Sequence, residues 1–525
     1  MHNPNATSAK GLYSRLEADR DPFLRRARDA AKLTIPSLLP EEGHNGTTKL
    51  KTPFQSLGAR GVNNLSSKLL MALMPPNSPF FRLRVDNPEL KQAAEESDQV
   101  AELEKALGQI EKTVMTEIEK SAIRVSVGET LKQLLVAGNA LLYVKPGGGA
   151  KVFKIDSYVV RRDPEGTPLD TVVKESVSLA TLPEKVRTAL QDNNPSTDRS
   201  DHDNVDLYTH IYRDGDKWTV YQEVDGLKIP GTEGSYPLEK SPWIPLRFTQ
   251  IDGENYGRGY VEEYYGDLRS LEALTKTIVE GSAAAARILF LVNPNGTTQK
   301  KTLQEAPNGA IRSGNSNDVS VLQMEKQADF SIAYQTIGTL TERLSYGFLL
   351  NSAIQRDAER VTAEEIRYMA NELESALGGV YSILSQEFQL PLVRRLMYVL
   401  ENKDAIPSLP EDAVSPSITT GIEALGRGHD LEKLDLFIKG MADIVPPEVL
   451  SQHVDFSDYM TRRATALGIE TDGLIKSQEQ IAREQAAAQQ AAMRQRLAEQ
   501  AMETGGKAVE KMTPQGPNME NTPNE

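Results

Sequence analysis

With 525 residues, of which 39% are hydrophobic and 25% charged, the chain has ordinary globular composition and the length for two to four folding units. Its 59 Lys and Arg stand against 74 Asp and Glu, a net charge of −15, so the molecule as a whole repels nucleic acid and acidic membrane surfaces, and any contact with DNA must be local. The absence of cysteine excludes disulfides, thiolate catalysis and Cys-type zinc sites and agrees with assembly in a reducing cytoplasm; no secretory leader and no membrane span are expected, because no apolar run approaches 18 residues.

In chain order, Asp21 followed by Pro22 reads as a helix start, a capping oxygen and then a preset φ, with the helix running to Pro36. Leu57, Val62, Leu65, Leu69 and Leu73 recur at helical spacing until Pro75 and Pro76. Val100, Leu103, Leu107, Ile110 and Val114 repeat the pattern in a further helix. From Ala140 the texture changes to short β-branched and aromatic runs separated by turn residues, which predicts a small, mostly antiparallel β region with a hairpin turn at Arg213 to Asp216. The stretch from Gln191 to Asn204 reads as a surface loop.

Helix returns at Tyr260, where Val261, Tyr264, Leu268, Leu271, Leu274 and Ile278 fall three or four residues apart; the element is expected to end near Asn293 and Pro294. The alanines from Ala283 to Ala286 allow a neighbouring backbone to approach. A compact segment with a strand at 319–323 follows, and then Ile337, Leu340, Leu344 and Phe348 mark a second amphipathic helix. This order is that of a helical hairpin carrying a separate module at its tip. Beyond the polar stretch 351–363, a capping box at Thr362 and Glu365 opens a helix through Ile366, Met369, Leu373, Leu377, Val380, Leu384 and Phe388, which Pro391 is expected to kink or end. A Pro-rich connection from Pro407 to Pro416 leads to a last helical section, and a tail of disordered composition begins near Gly505.

The inventory for catalysis is thin. There is no Gly-rich turn ending in Lys and Ser or Thr, and no Ser in a nucleophile elbow. The glycines Gly253, Gly257 and Gly259 lack dinucleotide spacing and read as turn and packing residues. The six histidines form no pair at metal-ligand spacing, and the acid pairs Asp201 with Asp203 and Asp214 with Asp216 lie in polar turns without an EF-hand pattern, so neither a metal nor a cofactor is expected. The basic residues Lys300, Lys301, Arg343, Arg356 and Arg360 read either as solvated helix faces or salt bridges, or as a set of which a few line a channel and touch phosphates.

Four stretches carry a resemblance to a known family: RDPFLRRARDAAKLTIPSLLPEEGH at 20–44, GARGVNNLSSKLLMALMPPNSPFFRL at 58–83, VAGNALLYV at 136–144, and PWIPLRFTQIDGENYGRGYVEEYYGDLRSLEAL at 242–274. They resemble the head-to-tail connector, or portal, family of podoviruses related to the autographivirus group. The resemblance implies an α+β, mainly α-helical portal fold that assembles as a ring, commonly of twelve subunits, at one capsid vertex of the virion. It implies a wing at 1–259, stem helices at 260–292 and 331–350, a clip at 293–330 between them, a tunnel loop at 351–363, a wing or channel helix at 364–401, a crown at 402–503 and a tail at 504–525. The partners it implies are the major capsid protein, scaffolding protein, the terminase large subunit during packaging, tail adaptor proteins afterwards, internal core proteins, and double-stranded DNA passing without sequence specificity. ATP chemistry would belong to terminase, so the chain itself is expected not to be an enzyme.

On this reading twelve copies carry on the order of −180 formal charges and repel the DNA they conduct, with sparse basic rings at Arg343, Arg356 and Arg360 near the tunnel loop and Lys300 and Lys301 in the clip. Leu268, Leu271, Ile278, Ala283, Ala286, Ile337 and Leu344 are the expected stem-packing residues. The competing reading is an internal virion or DNA-ejection protein, which predicts longer helical repeats or membrane-active amphipathic stretches. A metal-dependent nuclease would need acids clustered on strand ends with a lysine.

Overall fold

The structure, a computed structural model, describes residues 8–76, 79–85, 87, 100–193, 203–285, 289–322, 327–350, 372–373, 376–377, 379–408, 414–418 and 435–444, with isolated positions up to 493. The chain divides into two compact units, Met1–Ala424 and Leu425–Glu525. In the second, residues 435–444 are helical and Asp435 accepts a hydrogen bond from Tyr459 and pairs with Arg463. The expected start of the crown at 402 falls inside the first unit.

Helix α1 spans Ala9–Leu33 and so begins well before Asp21. Ser8 is its N-cap, its side-chain oxygen accepting from Gly11, and the Glu223 carboxylate accepts from the backbone N–H groups of Ala9 (2.9 Å) and Lys10 (3.3 Å). Pro22 therefore lies inside the helix. It removes one backbone hydrogen bond, a cost of about 3 kcal/mol. Burial on both sides of it outweighs that cost at about 1.5–3 kcal/mol per large side chain. Leu12, Tyr13 and Leu16 bury against Val159, Val172, Tyr208 and Tyr221 of the β region, and Leu24, Ala27, Ala30 and Ala31 join the main core.

Helices α2 (Leu57–Leu73), α3 (Val100–Lys120) and α4 (Ile123–Ala137) supply the helical side of that core, through Val62, Leu65 and Leu69 on α2 and Val127, Leu131 and Leu134 on α4. Strand β1 (Phe81–Val85) lies between α2 and α3 in sequence. After Gly138, β2 (Asn139–Val144) pairs with β3 (Ala150–Phe153). The predicted β region is an antiparallel sheet in the order β4 (Tyr158–Arg162), β5 (Pro168–Ser178), β6 (Asn204–Asp214) and β7 (Lys217–Val224), with β8 (Leu227–Lys228) and β9 (Gly234–Pro237) both paired to β7. The turn at Arg213 to Asp216 is present: Asp214 opposes Lys217, and Gly215 takes the left-handed conformation at φ 59°. Part of the expected loop after Gln191 is structured, since helix α5 (Glu184–Asn193) covers its first residues and β6 begins at Asn204.

Strand β10 (Trp243–Arg247) adds to β2, and the glycine-rich segment after it works as a clasp. A Cβ on Gly138 would lie 2.4 Å from the Arg258 backbone, one on Gly257 2.7 Å from the Thr249 carbonyl oxygen, and one on Gly259 2.7 Å from the Val136 carbonyl oxygen. Glycine is needed because backbone crosses backbone. The buried Asn139 side chain accepts from the Gly257 N–H (2.8 Å) and donates to the Ala137 and Gly257 carbonyls (3.0 and 2.9 Å). The same segment covers the free edge of β4, where Asn255 accepts from the Arg162 N–H and the Tyr256 hydroxyl from the Val160 N–H. Nearby, burial first and the adjacent Arg247 guanidinium second push the Arg162 pKa down to about 10, while carbonyls of Gly166, Pro245 and Asn255 accept its protons.

Pro391 does not end its helix. Helix α10 (Val380–Leu384) passes into a π-turn at Ser385–Gln389 and on into α11 (Leu390–Glu401). The widened turn lets the Leu390 N–H reach the Ser385 carbonyl just where proline removes the next donor. Glu387 in this turn pairs with the buried Arg247 at 2.7 Å, and Gln389 donates to the Leu73 carbonyl at the end of α2. The Pro-rich connection holds strand β13 (Val414–Ile418), antiparallel to β1, with Phe81 opposite Ile418. The capping box at Thr362 and Glu365 and the final section at 477–503 lie outside the described residues, apart from one helical position at 493.

Replacing Asn139 with Ala strands buried backbone groups of Gly257 and Ala137, so a loss of about 2 kcal/mol or more is expected. Thermal unfolding should start lower in Asn139→Ala; a midpoint equal to that of the parent protein would contradict the clasp.

Candidate channel and subunit-contact hairpin

Past the clasp the chain forms α6 (Tyr260–Glu263) and α7 (Tyr265–Ala285), and returns in α9 (Gln327–Gly347) after an insert that contains β11 (Leu289–Val292), the short α8 (Lys300–Gln304) and β12 (Val319–Leu322). The hairpin with a module at its tip is thus observed, with two corrections to its limits. The first long helix stops at Ala285, because Leu289–Val292, apolar and β-favouring, pairs antiparallel with Val319–Leu322. The second begins at Gln327, ahead of the expected 331.

The base of the hairpin is fastened to α2. The Phe348 ring fills the space beside Gly61, where a Cβ would lie 2.5 Å from it; Asn64 donates to the Phe348 and Leu349 carbonyls; and Lys68 donates to the Leu349 carbonyl and pairs with Glu372. The Tyr260 hydroxyl donates to the Gly347 carbonyl at 2.7 Å, and Tyr260, Tyr264 and Phe348 form a ring cluster with centroids 5.2–5.9 Å apart. Two glycines fix the register of the antiparallel helices, Gly347 against the Tyr264 ring and Gly281 against the Phe330 ring.

Of the expected packing residues, Leu268, Leu271 and Leu344 are buried, as is Leu340, and all join the main core. Ile278 and Ile337 are half-buried, Ala283 is exposed, and Ala286 lies outside the described residues. Arg343 is exposed but pairs with Asp267 on α7 at 2.9 Å, so its charge is answered within the subunit. Lys300 and Lys301 stand exposed on α8 with no ion pair. Arg356 and Arg360 lie outside the described residues.

Three features were not read from the sequence. The insert is organised around Asp318 and Thr298: the carboxylate accepts from the Thr298 N–H (3.0 Å), its hydroxyl (3.0 Å) and the Thr297 hydroxyl (3.1 Å), while the Thr298 hydroxyl accepts from the Asn315 N–H (2.8 Å). Gly296 lies so close that a Cβ would meet the Asp318 carboxyl at 2.4 Å. Secondly, large apolar side chains are exposed here more often than in the body that precedes it. Val279, Leu291, Leu303, Ile311, Ile332, Tyr334 and Tyr346 are exposed within residues 265–347, against Leu50, Phe54, Val125 and Ile251 in all the described residues before them. Thirdly, residues 265–347 carry eight Lys and Arg and eight Asp and Glu, a neutral stretch in a chain of net −15. No group of three or more His, Asp or Glu able to hold a metal ion occurs among the described residues, and none of their helices is long and apolar enough to cross a membrane.

The hydrogen bond from the Thr298 backbone, first, and the two threonine hydroxyls hold the Asp318 pKa below the ordinary carboxylate value. A lowered folded-state pKa contributes stability above the unfolded value that is lost as pH falls through the folded one. Hydrogen exchange in residues 293–322 should therefore stay slow from neutrality down to the usual aspartate range and quicken below it. In Asp318→Asn it should already be faster at neutral pH and lack the acid step; an unchanged acid step in that variant would exclude Asp318 as its source.

The sequence matches known relatives over nearly its whole length. Residues 6–475 match the family model described as bacteriophage head to tail connecting protein. The portal protein of Escherichia phage T7 is 44% identical over 485 residues, covering 91% of this chain and 90% of the relative. The portal protein of Enterobacteria phage T3 is 45% identical over 478 residues (90% and 89%), and that of Enterobacteria phage SP6 is 33% identical over 479 (90% and 91%). The hairpin with its capped tip module, the α+β body that fastens it and these matches together make the chain a member of the bacteriophage head-to-tail connecting, or portal, protein family.

Proposed function

We propose that the chain is the portal subunit of a short-tailed phage, a structural protein without catalysis that forms a ring, of twelve copies by family resemblance, at one vertex of the virion. The observation that carries this reading is the concentration of exposed apolar side chains on the hairpin and insert of a single chain, which a neighbouring subunit would cover. We assign the hairpin to the stem, the insert to the clip, residues 351–363 to the tunnel loop and the sheet-bearing body to the wing. Residues of the second unit form the crown. The ring would be assembled in the host cytoplasm with major capsid, scaffolding and internal core proteins. The clip would take terminase during packaging and tail adaptor proteins afterwards.

DNA moves through such a ring only if it is not held. Each phosphate neutralised by a fixed cation releases counterions and adds affinity, so a wall rich in free lysine and arginine would hold the duplex. The neutral hairpin suits passage: Arg343 is matched by Asp267, and Lys276 and Glu280 lie one helical turn apart at 3.9 Å. The candidate cations for phosphate contact are Lys300 and Lys301 in the clip and Arg356 and Arg360 in the tunnel loop, and their contacts would carry no base specificity.

Negative-stain images of the purified protein should show rings with a central hole; monomers at every concentration would contradict the proposal. Heads carrying Arg356→Ala or Arg360→Ala should fill with DNA or retain it less well than the parent. Unchanged filling and retention in both would remove the loop arginines from the mechanism.

A further inference from the structure

Among the described side chains of α7 and α9, one cation and one anion are without partners. Arg269 on α7 and Glu342 on α9 are both exposed, and neither makes an ion pair or a hydrogen bond. The groups that would ordinarily answer them are committed elsewhere. Asp267, two residues before Arg269, is taken by Arg343. Glu272, three residues after it, accepts from the backbone N–H groups of Phe54 (3.0 Å) and Gln55 (3.1 Å). Glu342 has no cation three or four residues away on its own helix.

The two side chains lie on opposite faces of the hairpin and at one level along it. Each precedes by two positions a buried residue set on the inward face by the cross-helix contacts, Leu271 seven after Tyr264 and Leu344 three before Gly347, which on an α-helix turns it about 200° away from the partner helix. The level follows from the register. Starting from the Tyr264 and Gly347 contact, five residues forward on α7 reach Arg269 and five back on α9 reach Glu342. Fifteen in each direction reach Val279 and Ile332, which are 50% and 65% exposed. The contact of Gly281 with Phe330, seventeen along on each helix, shows that the register holds to that depth.

Rotation about a ring axis preserves height. If the stems run along that axis, one copy's outer α7 face meets the next copy's outer α9 face level for level, a head-to-tail contact that closes on itself. We propose that the second copy is the missing partner: Arg269 pairs with Glu342 of the neighbouring copy, and Val279 packs against Ile332 of the neighbouring copy further along the stem. The pair fixes the vertical register between subunits, because any slip of one helical turn leaves both charges unanswered. This rests on the ring reading given above and adds to it which faces touch and at what height.

The chain has no cysteine, so introduced thiols report only on the sites chosen. In rings of the double variant Arg269→Cys, Glu342→Cys, mild oxidation should give a ladder of covalent multimers on a non-reducing gel, with either single variant giving none. The double variant Val279→Cys, Ile332→Cys should behave the same way and serves where loss of the ion pair hinders assembly. Arg269→Glu alone should reduce ring yield severalfold, and adding Glu342→Arg should restore it. Parent protein that forms rings, with both cysteine pairs failing to cross-link and the charge reversal without effect, would overturn this contact and leave the ring reading standing. Cross-linking within a single chain would overturn the opposite-face assignment. Parent protein that forms no rings would remove both.

Discussion

The hairpin that starts at Tyr260 is aimed by one backbone crossing. Gly138 ends α4 in the left-handed conformation at φ 73°, and residues 257–259 pass over it so closely that no side chain fits at 138, 257 or 259. The Asn139 amide secures the crossing with three hydrogen bonds to buried backbone. From there Tyr260 and Tyr264 reach Gly347 and Phe348, and Phe348 seats on Gly61. The hairpin is therefore held at its base by contacts that tolerate no added methyl group, while its far end depends on its own register and on the capped insert. A lever that must keep its orientation needs that kind of root, because a small angular error at the base grows with distance along the hairpin.

The electrostatics separate body from hairpin. Buried guanidinium groups in the body are answered locally, Arg247 by Glu387 and Arg20 by Tyr13, Glu17 and the Asp156 carbonyl. Removing a partner strands a buried guanidinium, so these contacts guard the shape of the body. On the hairpin the pairs are exposed, and each contributes about 1 kcal/mol or less. Their value there is cancellation, which leaves a neutral hairpin within an acidic protein.

What could be read in advance depended on how local each signal is. The helix from Leu57 to Leu73 and the packing residues Leu268, Leu271 and Leu344 follow from spacing alone, since burying one face of a helix imposes its period on the sequence. The start of α1 was misplaced because Asp21 and Pro22 imitate a helix start, while half of the true cap, Glu223, lies more than two hundred residues away. The π-turn before Pro391 and the pairing of Phe81–Val85 with Val414–Ile418 depend on contacts made only in the folded chain. Among the candidate cations, the sequence left Arg343 open between a solvated or salt-bridged face and a channel wall, because it cannot show Asp267 opposite it on the other helix. Arg269 and Glu342 passed unnoticed for the same reason, since a charge is unpaired only relative to a structure. The family resemblance supplied what periodicity does not, namely why a hairpin with an exposed apolar tip should exist at all.

The account stands on the claim that this subunit forms the passage by which DNA enters the head. Capsid and scaffolding proteins of its phage can be assembled with and without the chain, then offered DNA, terminase and ATP, and the nuclease-protected DNA measured. The account predicts protection only in heads that contain the ring and none when the chain is omitted. Heads assembled without it that protect DNA equally well would contradict it.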